Sequence, residues 1–419
     1  MDDFLQGGAD NIDVAVIGGG PSGLAAATEL KKQGVSRVVV LEREPQAGGI
    51  PRHCGHPPFG MREFKRILSG PIYAARLVEN ASAAGAEILT STHVVEARPD
   101  GHLLIANAKG IAEIKARRVI YATGVRETPR SARKISGDRP LGVINTGALQ
   151  SMVYLEKRKP FARPVIIGSE LVSFSAIMTC RHAGIRPVAM IEARHSVTAR
   201  WPSSLFPPLV GVPLGMATRL VSIHGDDLVN GIVVENPNGV QRRIECDGVI
   251  LTGQFMPESS LALCGHLEVD AASGGPLVDQ FGRCTDPSYF ATGNVLRPVE
   301  TAGWSWNEGR NTGRWVAADL AGDLTVSHEE ILITTNSSLI KYFMPQKIVL
   351  SRSGGGMANL QLRFSRSARG ELIAGNSDGV VWSRKLVVHP ERRVLVPLGK
   401  LFHDGIIGRI ELTFRETQT

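Results

Sequence analysis

Residues 13–23, DVAVIGGGPSG, read as a buried strand, a glycine-rich turn and the start of a helix. Val14, Ala15, Val16 and Ile17 form a short apolar run suited to a central parallel strand, and residues 24–33 follow with helical character until Gly34 closes them. The turn carries G-x-G-x-x-G. Gly18 permits the tight turn, Gly20 lets backbone approach a pyrophosphate, and Gly23 lets the helix pack closely on the strand. Pro21 and Ser22 open that helix, whose first N–H groups face the anion. A second strand, residues 37–41, ends at Glu42, 24 residues after Gly18, where a carboxylate can accept hydrogen bonds from an adenosine ribose. Strand, helix, strand and acid in register predict a dinucleotide site.

The chain has 419 residues, enough for two or three domains with their own cores. With 43% apolar and 21% charged residues it is neither disordered nor membrane-like in composition, and no apolar run approaches the ~18 residues of a spanning helix. The N-terminal MDDFLQGGADN is acidic and lacks the basic and apolar regions of a secretory signal, so a cytoplasmic location is expected. Five cysteines, Cys54, Cys180, Cys246, Cys264 and Cys284, fit neither C-x-x-C nor a zinc or iron–sulfur ligand set, and no metal site is expected. The net charge of +7 is concentrated in residues 336–419, which hold 13 Lys and Arg against 6 Asp and Glu. There the charges interleave with strand-like apolar residues and read as the solvent face of a sheet.

After the first βαβ unit, residues 42–64 form a loop rich in Gly, Pro and His. Gly48, Gly49 and Ile50 can run beside the cofactor, placing Arg52, His53, Cys54 and His56 near its redox-active end. For His53, Cys54 and His56 a metal site is the alternative reading, although three donors so close in sequence rarely close a tetrahedron alone. Residues 71–84 have helical periodicity, and three strands follow as a meander that includes Val94 and returns to the parallel sheet at residues 118–121 before Ala122-Thr123-Gly124. Residues 125–160 read as an Arg-rich connector. A second βαβ unit begins at residue 164, but its glycine pattern keeps only Gly168; Glu170 and Ser173 stand where the second and third glycines belong. A side chain at 170 would crowd a pyrophosphate, and a carboxylate would repel it. Residues 288–291 then form a strand before Thr292-Gly293-Asn294, and a helix follows that Glu300 and Thr301 introduce. From about residue 335 the pattern is all-β and offers no catalytic cluster.

In this order the elements resemble the two-dinucleotide-domain flavoproteins, whose members carry GxGxxG, an E-R pair (here Glu42 and Arg43) and a later A-T-G. The stretches GGIPRHCGHPPFGMREF, GVRETPRSARKISGDRPLGVINTGALQ and ATGNVLRPVET, with the tail beginning YFMPQKI, resemble more narrowly the flavoprotein subunits of multi-subunit FAD dehydrogenases. Related subunits belong to hydrogen cyanide synthase, opine oxidases, D-hydroxyproline dehydrogenase and complexes like anaerobic glycerol-3-phosphate dehydrogenase.

The resemblance implies an α/β fold with two Rossmann-like dinucleotide-binding domains, of glutathione/thioredoxin reductase type, and a small C-terminal all-β domain. The expected boundaries are 10–125 with 277–330 for FAD, 160–276 for an NAD(P)-binding-like domain, and 335–419. FAD is expected against Gly18, Gly20, Pro21, Ser22, Gly23, Glu42, Arg43, Gly49, Ile50, His53, Val94, Ala122, Thr123, Gly124, Gly293, Asn294 and Thr301. Family members usually carry Gly-Asp where this chain has Gly293-Asn294, which keeps a hydrogen bond to the ribityl chain but loses the charge. The helix that follows can point its N-terminal dipole at the flavin N1–O2 edge. Arg52, His53, Cys54 and Glu300 are expected at that edge, with no covalent nucleophile. NAD(P) or another adenine nucleotide in the second domain is the weaker expectation. The implied function is electron transfer within a complex: electrons come from a sister FAD catalytic subunit, pass through this chain and leave to a small iron–sulfur subunit. The alternative is a stand-alone NAD(P)H-dependent flavin oxidoreductase. Neither nucleic acid nor a transmembrane segment enters either reading.

Overall fold

The computed structural model describes residues 12–298, 300–324, 326–351, 355–401 and 408–417. The acidic N-terminal stretch lies outside them. The chain forms two compact units, one containing residues up to Gly49, Ala74–Val125 and Met256 onward, the other containing Ile50–Tyr73 and Arg126–Phe255. Residues 50–73, expected with the first domain, therefore pack with the second unit, and residues 256–276, expected with the second, pack with the first.

The first unit begins with strand β1 (Ile12–Ile17), helix α1 (Pro21–Lys32) and strand β2 (Val38–Leu41), followed after helix α2 (Gly70–Ala83) by β3 (Glu87–Leu89). The meander β4 (His93–Arg98), β5 (His102–Asn107) and β6 (Gly110–Tyr121) is antiparallel, and the end of β6 lies parallel to β1. Val14, Ala15, Val16 and Val38, Val39, Val40 are all buried, as continuous apolar runs of a parallel sheet covered on both faces should be.

In the second unit β7 (Val143–Asn145), helix α3 (Thr146–Gln150), β8 (Pro164–Ile167), helix α4 (Leu171–His182), β9 (Ala189–Ile191), β10 (Leu214–Gly215) and β11 (Gly248–Leu251) build a parallel sheet in the order β10-β9-β8-β11-β7. Its strand ends align, with Ile167 opposite both Ile191 and Leu251. The strand β7 falls inside the segment read from sequence as an Arg-rich connector; three residues are too few to display a period.

The first unit resumes with β12 (Tyr289–Ala291), parallel to β6, and helix α5 (Ala302–Ala321). Here too the ends align: Leu41 pairs with Ile17, Ile17 with Tyr121, and Tyr121 with Ala291. The turns after these four strands therefore share one edge, where open parallel sheets bind their ligands. The C-terminal strands are β13 (Val326–Thr335), β14 (Ile340–Met344), β15 (Lys347–Ser351), β16 (Asn359–Phe364), β17 (Ala368–Asn376), β18 (Gly379–Val388), β19 (Val394–Pro397) and β20 (Arg409–Glu416). They form a five-stranded sheet, β15-β13-β20-β17-β18, and a three-stranded one, β14-β16-β19. Leu360, Leu362, Leu372, Val396, Ile410 and Leu412 are at the centre of their shared core. The run LIKYFMPQKIVL holds two strands, β14 and β15, separated at Pro345, which has no N–H for a ladder.

Helix α5 packs along α1 through small residues. A Cβ at Gly309 would collide with the Ser22 carbonyl oxygen, and one at Gly313 would come within 2.8 Å of the Ala26 carbonyl oxygen. Gly309→Ala is expected to force the helices apart and cost about 1–3 kcal/mol, seen as a lower melting temperature of the full chain.

Candidate functional site

The turn at residues 18–23 follows β1, Glu42 follows β2, residues 122–124 follow β6, and residues 292–294 follow β12. Gly18 holds φ at +108°, where a Cβ would lie 2.5 Å from the Ala122 carbonyl oxygen. A Cβ at Gly23 would collide with the Gly18 carbonyl oxygen, so only glycine lets α1 start so close to β1. At Gly20 and Gly124, by contrast, a Cβ would meet nothing within 4 Å. Open space therefore faces the N-terminus of α1, which has no side-chain cap and no acidic residue in its first turn. Its free N–H groups are suited to an anion.

Glu42 is buried at 6% exposure. Its Oε2 accepts from Gly19 N at 2.8 Å and its Oε1 from Glu44 N at 2.8 Å. Each carboxylate oxygen retains a lone pair for a ribose hydroxyl. On the far side, Asn294 Nδ2 donates to the Glu300 carbonyl at 3.2 Å, and Ser305 Oγ donates to Asn294 Oδ1 at 3.0 Å. Thr292 Oγ1 is buried without a hydrogen-bond partner, which marks a polar position left for a ligand. The open cradle, the uncapped helix and the orphaned hydroxyl fit FAD. Glu42 would hold its ribose, and Gly20 and Gly124 would border its pyrophosphate. Bound there, FAD supplies reversible two-electron chemistry that side chains do not.

The remaining expected contacts are placed as follows. Arg43 is exposed, and Val94 is half-buried on β4 opposite Ile105. Gly49 lies beside Gly20, a Cβ there coming within 2.8 Å of the Gly20 Cα. Ala122 N donates to Ile17 O, Thr123 Oγ1 donates to the Glu258 carbonyl at 2.7 Å, and Thr301 is the N-cap of α5. Ile50, Arg52, His53 and Cys54 belong to the second unit, in or next to a short helical turn at Ile50–His53.

The second unit repeats the cradle with a different occupant. Gly168 holds φ at +116°, and Glu192 ends β9 as Glu42 ends β2, accepting from Ser169 Oγ and from Arg194 N at 3.0 Å. Glu170 caps α4 at the position Gly20 holds in α1. Its carboxyl group folds back over the turn: a Cβ at Gly168 would lie 2.5 Å from Glu170 Oε2, and one at Gly253 2.5 Å from Glu170 Cδ. Thr252 Oγ1 bonds Glu170 Oε2 at 3.1 Å, Ser173 Oγ bonds Thr252 Oγ1 at 2.6 Å, and burial pushes the Glu170 pKa up. Arg133 fixes this turn by donating to the Thr252 and Gly253 carbonyls, both at 2.8 Å. The space that is open at Gly124 is thus filled by a carboxylate at Gly253.

In the same unit Cys54, Gln150, Ser175 and His56 form a chain of defined polarity. The Cys54 thiol donates to Gln150 Oε1 at 3.3 Å, Gln150 Nε2 donates to Ser175 Oγ at 2.7 Å, and Ser175 Oγ bonds His56 Nε2. His56 Nδ1 faces the Pro57 carbonyl at 2.9 Å, which assigns the proton to Nδ1 and leaves Nε2 to accept from Ser175. Burial pushes the Cys54 thiol up to about 12, so it is a donor in this chain and not a thiolate. Among the described residues no three His, Cys, Asp or Glu side chains cluster as metal ligands.

Two groups escaped the sequence reading. Glu127, 7% exposed, accepts from Gly147 N at 2.8 Å through Oε2, while its Oε1 has no partner, and burial pushes its pKa up to about 7. Its place inside GVRETPRS was the available signal. The second is the ion cluster around Glu300, whose side chain is 4% exposed and contacts Arg297, Arg363 and Arg393. Arg363 is one of the C-terminal charges read as the solvent face of a sheet, yet it is 2% exposed.

Two Rossmann-like units, the first with an open FAD cradle, define a flavoprotein oxidoreductase. Residues 12–317 match the pyridine nucleotide-disulphide oxidoreductase family, and the chain belongs to that family. An opine oxidase subunit of Rhizobium meliloti (strain 1021) is 30% identical over 273 residues, which cover 59% of this chain and 58% of the relative. The alpha subunit of sarcosine oxidase from Corynebacterium sp. (strain P-1) is 25% identical over 264 residues, covering 58% of this chain and 26% of the relative. The chain thus spans less than two thirds of these relatives. Thioredoxin reductase of T. acidophilum shares the fold, with a TM-score of 0.62 at 20% identity over 73% of this chain and 98% of that one. The protein is accordingly an FAD-binding oxidoreductase related to subunits of multi-subunit oxidases. No helix among the described residues is long and apolar enough to cross a membrane.

Glu127 makes stability depend on pH. Its folded pKa of about 7 lies above the ordinary carboxylate value of 4.5, so between these values the folded state keeps a proton that the unfolded state has lost. Stability therefore falls as pH rises through that window, by at most about 3 kcal/mol, and is level above it. Glu127→Gln is expected to flatten that part of the profile, measured by urea unfolding at pH 5 and pH 8 against the unaltered chain.

Proposed function

We propose that this chain is the FAD-containing electron-transfer subunit of a multi-subunit dehydrogenase or oxidase acting on amino acids, opines or hydroxy compounds. Electrons reach its flavin from a sister catalytic flavoprotein subunit and leave to a small iron–sulfur partner or another acceptor. The observation that carries this reading is the Glu170 carboxylate. It lies over Gly168 and Gly253, where a pyridine nucleotide would place its pyrophosphate. The side chain fills that space, and in its ionised form it would also repel the phosphates. The cysteines add support, since all five are free, four of them buried, and none pairs into a redox disulfide. No general base is required for electron transfer alone.

A stand-alone NAD(P)H-dependent flavin oxidoreductase is the second reading, and Glu192 favours it, because it keeps the ribose-binding acid at the end of β9. Anaerobic mixing of the oxidised holoprotein with NADH or NADPH separates the two. The flavin band at ~450 nm is expected to persist, and rapid bleaching would establish the reductase instead. Glu170→Gly, alone or with Ser173→Gly, is expected to open the second cradle, so that NADH or ADP binds measurably in equilibrium dialysis while Glu170→Gln, which keeps the bulk, remains closed.

A further inference from the structure

The C-terminal β domain offered no catalytic motif, yet it reaches the FAD cradle through charge. Glu300 stands immediately before Thr301, the N-cap of α5. On its Oε1 converge Arg297 Nε at 3.5 Å, Arg393 Nε at 3.3 Å and Arg363 Nη2. Arg297, with a side chain 0% exposed, also pairs with Glu308 one and a half turns into α5. Arg363 comes from β16 and Arg393 directly precedes β19, so two of the three guanidiniums belong to the β domain. Arg393 is further held by stacking 3.7 Å from the Trp304 ring centroid.

The contacts continue toward the nucleotide turn. The Glu300 carbonyl accepts from Asn294 Nδ2, Asn294 Oδ1 accepts from Ser305 Oγ, and a Cβ at neighbouring Gly293 would lie 2.5 Å from Ser22 Oγ at the start of α1. An unbroken series of polar and close contacts therefore joins β16 to the cradle. Three arginines against Glu300 and Glu308 leave the cluster positive. Burial pushes the Glu308 pKa up, so the balance stays positive whichever form Glu308 takes. Charge in a buried site is weakly screened, and it adds to the positive end of α5.

We propose that the C-terminal β domain sets the potential of the flavin, with Arg363 and Arg393 as positioning residues that act through Glu300 on the Asn294 turn and the N-terminus of α5. The inference rests on FAD occupying the cradle between Gly20 and Asn294, and holds whether electrons arrive from a sister subunit or from NAD(P)H. The positive cluster favours the negative charge that reduction brings. Removing an arginine lowers the midpoint potential, and removing the Glu300 charge raises it.

The test measures the flavin midpoint potential of the full-length holoprotein by anaerobic dye-coupled titration, together with FAD release. Arg363→Met and Arg393→Gln are expected to shift the potential negative and to loosen FAD about tenfold or more. Glu300→Gln is expected to shift it positive, and Arg363→Lys to remain near the unaltered protein. A role in stability alone would lower melting temperatures while leaving the potential of the folded holoprotein in place, and that result, or shifts of the same sign for Arg393→Gln and Glu300→Gln, overturns the proposal. Should Arg363→Met fail to fold, Arg393→Gln carries the arginine arm, because that side chain is 16% exposed. Failure of the unaltered chain to take up FAD at all would overturn the cradle assignment itself, a result distinct from a held flavin whose potential does not move.

Discussion

Backbone lies against backbone where α1 leaves β1 and again where α5 crosses α1, and the rest of the first unit depends on that contact. No side chain fits at Gly23 or Gly309. The consequence is a short distance between the sheet edge, the N-terminus of α1 and the turn that leads into α5. Four aligned strand ends then place an uncapped helix N-terminus, the Glu42 carboxylate and a polar turn along a single edge. Nothing in that arrangement requires a special side chain beyond Glu42. Most of the site is backbone whose N–H groups and space have been left free.

Two glutamates show how the same chemistry yields opposite results from different positions. Glu42 stands at the rim of its cradle and saturates only part of its capacity with Gly19 and Glu44 amides, so a neutral ribose can add to it. Glu170 stands inside its cradle and directs its carboxylate to where phosphate oxygens would lie. The space in front of that helix terminus is filled by a carboxyl group of the chain itself. Neither effect depends on the residue type alone; each follows from where the carboxylate stands relative to the glycine turn.

The glycine turn, Glu42, the strand ends and the altered second motif were legible in the sequence because each is a local pattern with a fixed spacing. What was illegible depended on partners distant in the chain. The three residues of β7 carry no period of their own and join the sheet only because β11 offers an edge. Residues 50–73 read as a continuation of the first domain, but the Cys54 thiol finds Gln150, and His56 finds Ser175, roughly a hundred residues away. Arg363 alternates with Leu362 and Phe364 as a solvent-facing residue should. Alternation reports which face a side chain takes, and does not report that Glu300 covers that face.

The buried cluster around Glu300 also bears on why a β domain accompanies a flavin fold. Placing five charged groups out of water is unfavourable, and well-packed apolar residues of the same volume would commonly stabilise such an interface as well or better. Adhesion between the β sheet and α5 is therefore a poor explanation for Arg297, Glu300, Glu308, Arg363 and Arg393. An apolar interface would hold the two parts together, but it could not present a fixed positive charge beside the turn that meets the cofactor. For an FAD-binding oxidoreductase with no disulfide among its described residues, the flavin is the redox group whose potential decides the direction in which electrons move. A protein tunes such a centre through local charge, hydrogen bonds and burial. The guanidiniums of the β domain supply the first, and the Asn294 turn that they brace supplies the second.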